Sequence, residues 1–327
     1  MGYQIKILLL SFVISIVVAL IVIPIIKRRK IGQNERDDGP KSHLKKQGTP
    51  TMGGIIMIIS LIIISAILYY DYSRLPENKS MVHNLLALAG ATVGFGLVGF
   101  IDDFKKVVLH NTKGLKPAYK MLGLLVIATA FTIFILKVLK IGTEIYIPFS
   151  RESIVMPMWA YIPFTILVML ATTNAINLTD GIDGLSTSVT TIILTCLTVI
   201  GIIFGVKEIV LFGTSLIGIC LAFLLFNLNP AKIFMGDTGS LFLGGAVSVM
   251  AIYLKMPLLL IIIAIIPVLE ALSDIIQVLH YKRTGNRVFK MAPLHHHFEL
   301  CGWNENKIVS IFSVITLIAC LIGLAAI

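Results

Sequence analysis

The chain has 327 residues, 57% of them hydrophobic and only 13% charged, with a mean hydropathy of +0.95 and a formal charge of +10. Ordinary soluble domains carry roughly 25% charge, so a water-soluble fold of this length is excluded and the expected solvent is lipid. Of four cysteines, Cys196, Cys220 and Cys320 lie inside apolar runs and no CxxC spacing occurs, which excludes a disulfide framework and a thiolate metal site; no nucleic-acid partner is expected.

The first apolar run, Ile7 to Ile26, is 20 residues long. A secretory h-region is about 7–15 residues long and ends in a small-residue cleavage site. This run ends in IPIIKRRK instead, so it reads as a retained span. Ten stretches are long enough to cross a hydrocarbon core of about 30 Å: residues 5–26, 52–70, 82–101, 119–138, 158–176, 186–205, 208–227, 239–254, 257–279 and 308–327. Only GVKE separates the sixth from the seventh. The ninth contains Pro257, Pro267, Glu270 and Asp274, and is expected to be kinked or partly embedded. The fold class is therefore an all-α integral membrane protein of about ten transmembrane helices, one domain over residues 1–327.

Ten spans put both termini on one side, and loop charge says which. The odd-numbered loops carry eight, five, none, one and five Lys/Arg, nineteen of the 27, and the opposite side carries the remaining eight. The odd-numbered loops are expected to be cytoplasmic, with both termini outside.

The unusual polar segments all fall on that cytoplasmic face. They are KKQGTPTMGG (45–54), GFIDDFKK (99–106), NAINLTDGIDGLS (174–186), FNLNPAKIFMGDTGSLFLGG (226–245), EALSD (270–274) and APLHHHFE (292–299). Each has a plain reading: Asp180, Asp183, Asp237 and Thr238 could cap helices, and Gly54, Gly181 and Gly184 could serve turns or close packing. Together the plain readings fail. Asp102, Asp103, Asp180, Asp183 and Asp237 are more acids than capping requires, adjacent Asp102 and Asp103 repel each other, and acids at membrane depth are functional by default. Carboxylates from several helices facing Lys-bearing loops suit a Mg²⁺-dependent phosphate site, because Mg²⁺ takes carboxylate and phosphate oxygens and lysines supply the remaining positive charge.

GTPTMGG, DDFKK, NLTDGIDGL, FMGDTGSL and APLHHHFE, in this order, resemble the polyprenyl-phosphate N-acetylhexosamine-1-phosphate transferase superfamily. Within it, GTPTMGG and APLHHHFE resemble the phospho-N-acetylmuramoyl-pentapeptide transferases, over essentially the whole chain. The resemblance implies transfer of phospho-N-acetylmuramoyl-pentapeptide from UDP-N-acetylmuramoyl-pentapeptide to undecaprenyl phosphate in the bacterial inner membrane, with Mg²⁺ as cofactor, lipid I and UMP as products, and a homodimer as the assembly. It implies Asp237 as the Mg²⁺ ligand and Asp102, Asp103 and Asp237 as catalytic residues, with Asp102 a candidate base. It implies Asn177, Asp180, Gly181, Ile182, Asp183, Asn227, Phe234 and Gln277 on the nucleotide side, and Lys46, Thr51, Lys106 and Lys120 near the phosphates or nucleotide. A sister transferase using UDP-N-acetylglucosamine is the nearest alternative. An ion-coupled transporter is a further one, opposed by acids clustered at one face rather than at the midplane.

His295, His296 and His297 are consecutive, so their side chains diverge and cannot easily ligate one ion. Metal-binding histidines come spaced, and an internal position excludes a purification tag. The segment reads as a substrate-contacting loop, with His295 and His296 facing the sugar nucleotide and the rest packing within the loop.

Overall fold

The apolar runs become helices, and their order follows the sequence. A computed structural model describes residues 2–28, 48–74, 78–109 and 114–327. The long helices are α1 (Gly2–Arg28), α2 (Gly54–Tyr72), α3 (Lys79–Val107), α4 (Pro117–Lys137), α5 (Met158–Thr179), α6 (Leu185–Ile203), α7 (Lys207–Asn227) and α8 (Gly236–Tyr253). A broken pair follows, α9 (Leu260–Ile263) and α10 (Ile265–Thr284), then the short α11 (Leu294–Glu299) and the terminal α12 (Glu305–Ala325).

Eight described helices are long and apolar enough to cross a membrane, or nine if the broken pair counts as one span. The remaining one of the ten expected stretches is α8, which falls outside that count. That helix is rich in Gly, Ser and Thr rather than continuously apolar, yet every residue from Thr238 to Tyr253 is buried. It is sheathed by α3, α5 and α2 and faces protein, so its surface does not have to match lipid. The ninth run breaks as expected. A segment from Pro257 through α9 meets α10 at 84°. The break falls at Ala264, and Pro267 sits in the first turn of α10, where its missing N–H costs nothing.

The described chain also holds one short hairpin, between α4 and α5. Strands β1 (Glu144–Ile147) and β2 (Glu152–Val155) form an antiparallel hairpin with Glu144 opposite Val155. Its partners are distant in sequence: Tyr146 N–H donates to Lys255 O and Phe149 N–H to Ala326 O, both at 2.8 Å, and Lys255 pairs with Glu144 at 2.6 Å. The hairpin therefore ties together the C-terminal ends of α8 and α12. The acidic segments lie at the other end of α8, roughly 27 Å away along an 18-residue helix.

Close helix approach fixes that end. A Cβ on Gly54 of α2 would strike the backbone of Gly239, and one on Gly99 of α3 would strike the Asp237 carbonyl. The segment before α2 completes the contact: Gly53 and Gly54 N–H donate to Phe234 and Met235 O at 2.8 and 3.0 Å, and Phe234 N–H donates to Pro50 O at 2.8 Å. GTPTMGG and FMGDTGS are thus two sides of one backbone-paired joint.

Candidate active site

Asp102 and Asp103 sit one turn after Gly99, on the face of α3 that meets the first turn of α8. Both are buried, and oxygens of Asp102, Asp103 and Asp237 lie within 4.8 Å of one another. Three carboxylates brought this close need cations. Lys106 supplies one: its Nζ is 2.5 Å from Asp102 Oδ2 and 2.7 Å from Asp237 Oδ2. Lys120, at the start of α4, adds a second at 3.1 Å from the same Asp237 oxygen. From α5, Asn177 Nδ2 donates to Asp237 Oδ1 at 2.8 Å and to Ser240 Oγ at 2.7 Å. Four helices thus converge on Asp237.

The two adjacent acids have different duties. The N-cap position of α8 is Met235, which offers no side-chain cap. Asp103 provides one from α3: Oδ1 accepts Asp237 N–H at 3.2 Å, and Oδ2 accepts Thr238 N–H at 2.8 Å and Thr238 Oγ1–H at 2.6 Å. A carboxylate here satisfies orphan amides and complements the helix dipole. Asp102 instead accepts Leu115 N–H at 2.6 Å through Oδ1 and turns Oδ2 to Lys106. Asp103→Ala should therefore lower stability by about 1–2 kcal/mol through the lost cap. Thermal unfolding in detergent checks this, and an unchanged midpoint would assign the capping of α8 to another group.

An all-oxygen donor set of this size suits Mg²⁺. Asp102, Asp103 and Asp237 together make a group that could hold a metal ion.

The Asp180–Asp183 stretch forms a turn between α5 and α6, not a helical face. Asp180 is half-buried, and its carboxyl is pushed up to about 8, by burial first and then by the charges of Asp237, Asp103 and Asp183. Asp183 is buried, with Oδ2 accepting from Asn229 Nδ2 at 3.1 Å and Ala231 N–H at 3.0 Å. Ile182 is also buried.

The other expected residues divide between the acid cluster and its frame. Thr51 Oγ1 would lie 3.1 Å from a Cβ on Gly236, beside the start of α8. Asn227 is buried, accepts from Thr187 Oγ1 at 3.0 Å and donates to Ile233 O at 3.1 Å, bracing the loop that carries half-buried Phe234. Gln277 braces the loop after α10: Oε1 accepts Val288 and Phe289 N–H, and Nε2 donates to Phe289 O, all at 3.0 Å. His295 is wholly buried. His296 is partly open and its Nδ1 lies 2.7 Å from Glu299, while His297 Nδ1 accepts Lys290 N–H at 3.1 Å. Lys46 lies outside the described residues.

Sequence reasoning gave no site role to four contributors: Ser240 and Thr238 on α8, the Leu115 amide, and Glu270, which faces His295. Glu270 carried a signal, an acid inside an apolar run; the Leu115 contact is main chain and carried none.

The glycosyl transferase family 4 model matches residues 85–255, which hold Asp102, Asp103, Asn177 and Asp237. A phospho-N-acetylmuramoyl-pentapeptide-transferase signature matches residues 46–58, the segment paired to the α8 joint. A phospho-N-acetylmuramoyl-pentapeptide-transferase of Clostridium botulinum (strain Eklund 17B / Type B) is 48% identical over 98% of this chain and 95% of its own length. This chain belongs to the phospho-N-acetylmuramoyl-pentapeptide-transferase family. Proteins of the same name from Clostridium kluyveri (strain ATCC 8527) and Acetivibrio thermocellus (strain ATCC 27405) are 49% and 47% identical, over 96% and 97% of this chain and 96% and 93% of theirs. Membership of this transferase family accords with the site, where lysines and carboxylates gather at the start of α8.

Proposed function

We propose that this membrane transferase moves phospho-N-acetylmuramoyl-pentapeptide from its UDP-linked donor to undecaprenyl phosphate, releasing UMP and forming lipid I. The observation that carries the reading is the convergence of Asp102, Asp103 and Asp237 with Lys106 and Lys120. Transfer of a phosphoryl group asks the protein mainly for positioning and for positive charge on the phosphate oxygens. Lys106 and Lys120 supply that charge, and Asp102, Asp103 and Asp237 are the group that would hold Mg²⁺. When bound, Mg²⁺ would neutralise the diphosphate and the developing charge on UMP. Asn177 orients Asp237, and Asp103 holds the helix start on which Asp237 is carried.

The lipid phosphate is already an anionic oxygen nucleophile, so a strong general base has little to do. Asp102 is better employed holding Lys106 than removing a proton. The turn at Asp180–Asp183 and the loop with Phe234 form the nucleotide side. Ten spans, with α8 enclosed, put both termini outside and this end of the bundle in the cytoplasm. Nineteen of 27 Lys/Arg lie on that side, which supports the orientation and raises the local concentration of both anionic substrates. A homodimer in the bacterial inner membrane belongs to the same reading and rests on the family alone.

The test uses purified protein with undecaprenyl phosphate, Mg²⁺ and either UDP-N-acetylmuramoyl-pentapeptide or UDP-N-acetylglucosamine, following UMP. Release with the first donor only is expected. Release with the second only would make the chain a sister transferase, and release with neither would end the enzymatic reading.

A further inference from the structure

His295 is wholly buried at the start of α11. Its backbone N–H donates to Glu270 Oε1 at 3.2 Å, and its ring Nδ1 lies 3.1 Å from Glu270 Oε2. Glu270 is equally buried, on the apolar helix α10. Burying a carboxylate is costly unless it is hydrogen-bonded, and here both oxygens turn to one residue twenty-five positions later. A carboxylate at Nδ1 accepts a hydrogen bond from that nitrogen, and Nε2 is the second ring nitrogen.

That second nitrogen is the informative one. Nε2 is buried without a hydrogen-bond partner among the described residues. It bears on Gly181: a Cβ there would overlap Nε2 and come within 2.6 Å of Cε1. The ring is poorly able to swing aside. Nδ1 and the main chain are tied to Glu270, and the His296 ring lies against it with centroids 4.1 Å apart. The same turn is held from its other end by Asp183, through Asn229 and Ala231, and by Glu305, which accepts Asp183 N–H at 3.2 Å.

We propose that Glu270 and His295 form a strut that fixes the Asp180–Asp183 turn by contact with Gly181. Both are positioning residues. His295 is the histidine that carries the turn, and the substrate-facing surface of the triplet belongs to His296 and His297, which keep part of their area open. Gly181 is glycine because the imidazole occupies the space a side chain would need. The assignment of that turn to the nucleotide rests on the proposed function; the strut itself does not.

Two measurements on the full-length protein in detergent test the strut. The first needs no substrate: hydrogen exchange of the amides over residues 178–186. His295→Ala and Glu270→Gln should each speed exchange there about tenfold and leave α3 unchanged, because the turn loses its support. Unchanged exchange in His295→Ala would overturn the proposal. The second uses sugar-nucleotide kinetics. Gly181→Ala should raise KM about tenfold with kcat within about threefold, because the added methyl displaces the turn. In the His295→Ala background the same substitution should cost no more than about twofold, since touching residues are coupled. Equal penalties in both backgrounds would overturn the contact, even if Glu270→Gln fails to fold. If the parent protein releases no UMP, the functional reading fails, and the exchange result still decides the strut.

Discussion

Asp237→Asn should reduce UMP release by at least about 10²–10³-fold at saturating substrates, the cost of removing one preorganised electrostatic element from a reacting centre. One carboxylate here receives Lys106, Lys120 and Asn177, at 2.7, 3.1 and 2.8 Å. An amide in its place cannot pair with two ammonium groups, and it turns a donor toward one of three donors already present. Lys106 keeps Asp102 as a partner, whereas Lys120 loses the Asp237 carboxylate. The substitution preserves shape, and the cap on α8 belongs to Asp103, so the protein should elute and unfold as the parent does. A Mg²⁺ titration of turnover completes the test. A variant keeping more than a tenth of parental turnover with the same Mg²⁺ requirement would remove Asp237 from the centre of the site.

How much of this was legible in the sequence differs by residue, and for physical reasons. Apolar runs set the helices because a span must satisfy its backbone internally over a fixed thickness. The acids stood out because their types and depth are costly. Which acid does what was not legible. Asp102 and Asp103 are neighbours in an identical local context, yet one caps α8 and the other holds Lys106; the difference comes from α8, 134 positions away. Asp183 and Asn227 read as ligand-facing polar residues; their hydrogen bonds also brace loops, a matter of side-chain direction that spacing does not encode. The hairpin escaped notice because its strands are four residues each and are secured by Lys255 and Ala326. Helix α8 was read as a span from its apolar stretch, residues 239–254, although its Gly, Ser and Thr content is that of a helix packed in protein. The spacing of the histidine triplet argues against a shared metal ion, but only Glu270 distinguishes His295 from its neighbours.

Gly99→Ala separates the packing of this site from its chemistry. Gly99 touches no reacting group, yet a methyl there would enter the Asp237 carbonyl, and backbone cannot yield as a side-chain tip can. Nearby, a Cβ on Gly96 would lie 3.0 Å from Ile58 and 3.1 Å from Phe242, and one on Gly245 would lie 2.6 Å from Phe95. The α3–α8 crossing is therefore tight along its length, in the manner of small-residue helix contacts in membranes. The added methyl must push the start of α8 away from α3, stretching the 2.6 and 2.8 Å bonds from Thr238 to Asp103 and carrying Asp237 away from Lys106. Overpacking should cost about 1–3 kcal/mol of stability, and a displacement near 1 Å at the reacting centre about 10²-fold in turnover. Gly90→Ala, on the same helix where a Cβ meets nothing within 4 Å, is the matched control and should leave both quantities near parental values. Thermal unfolding and UMP release on the two variants decide the matter. If Gly99→Ala behaves like Gly90→Ala, the crossing is looser than described, and the positions of Asp102 and Asp103 do not depend on it.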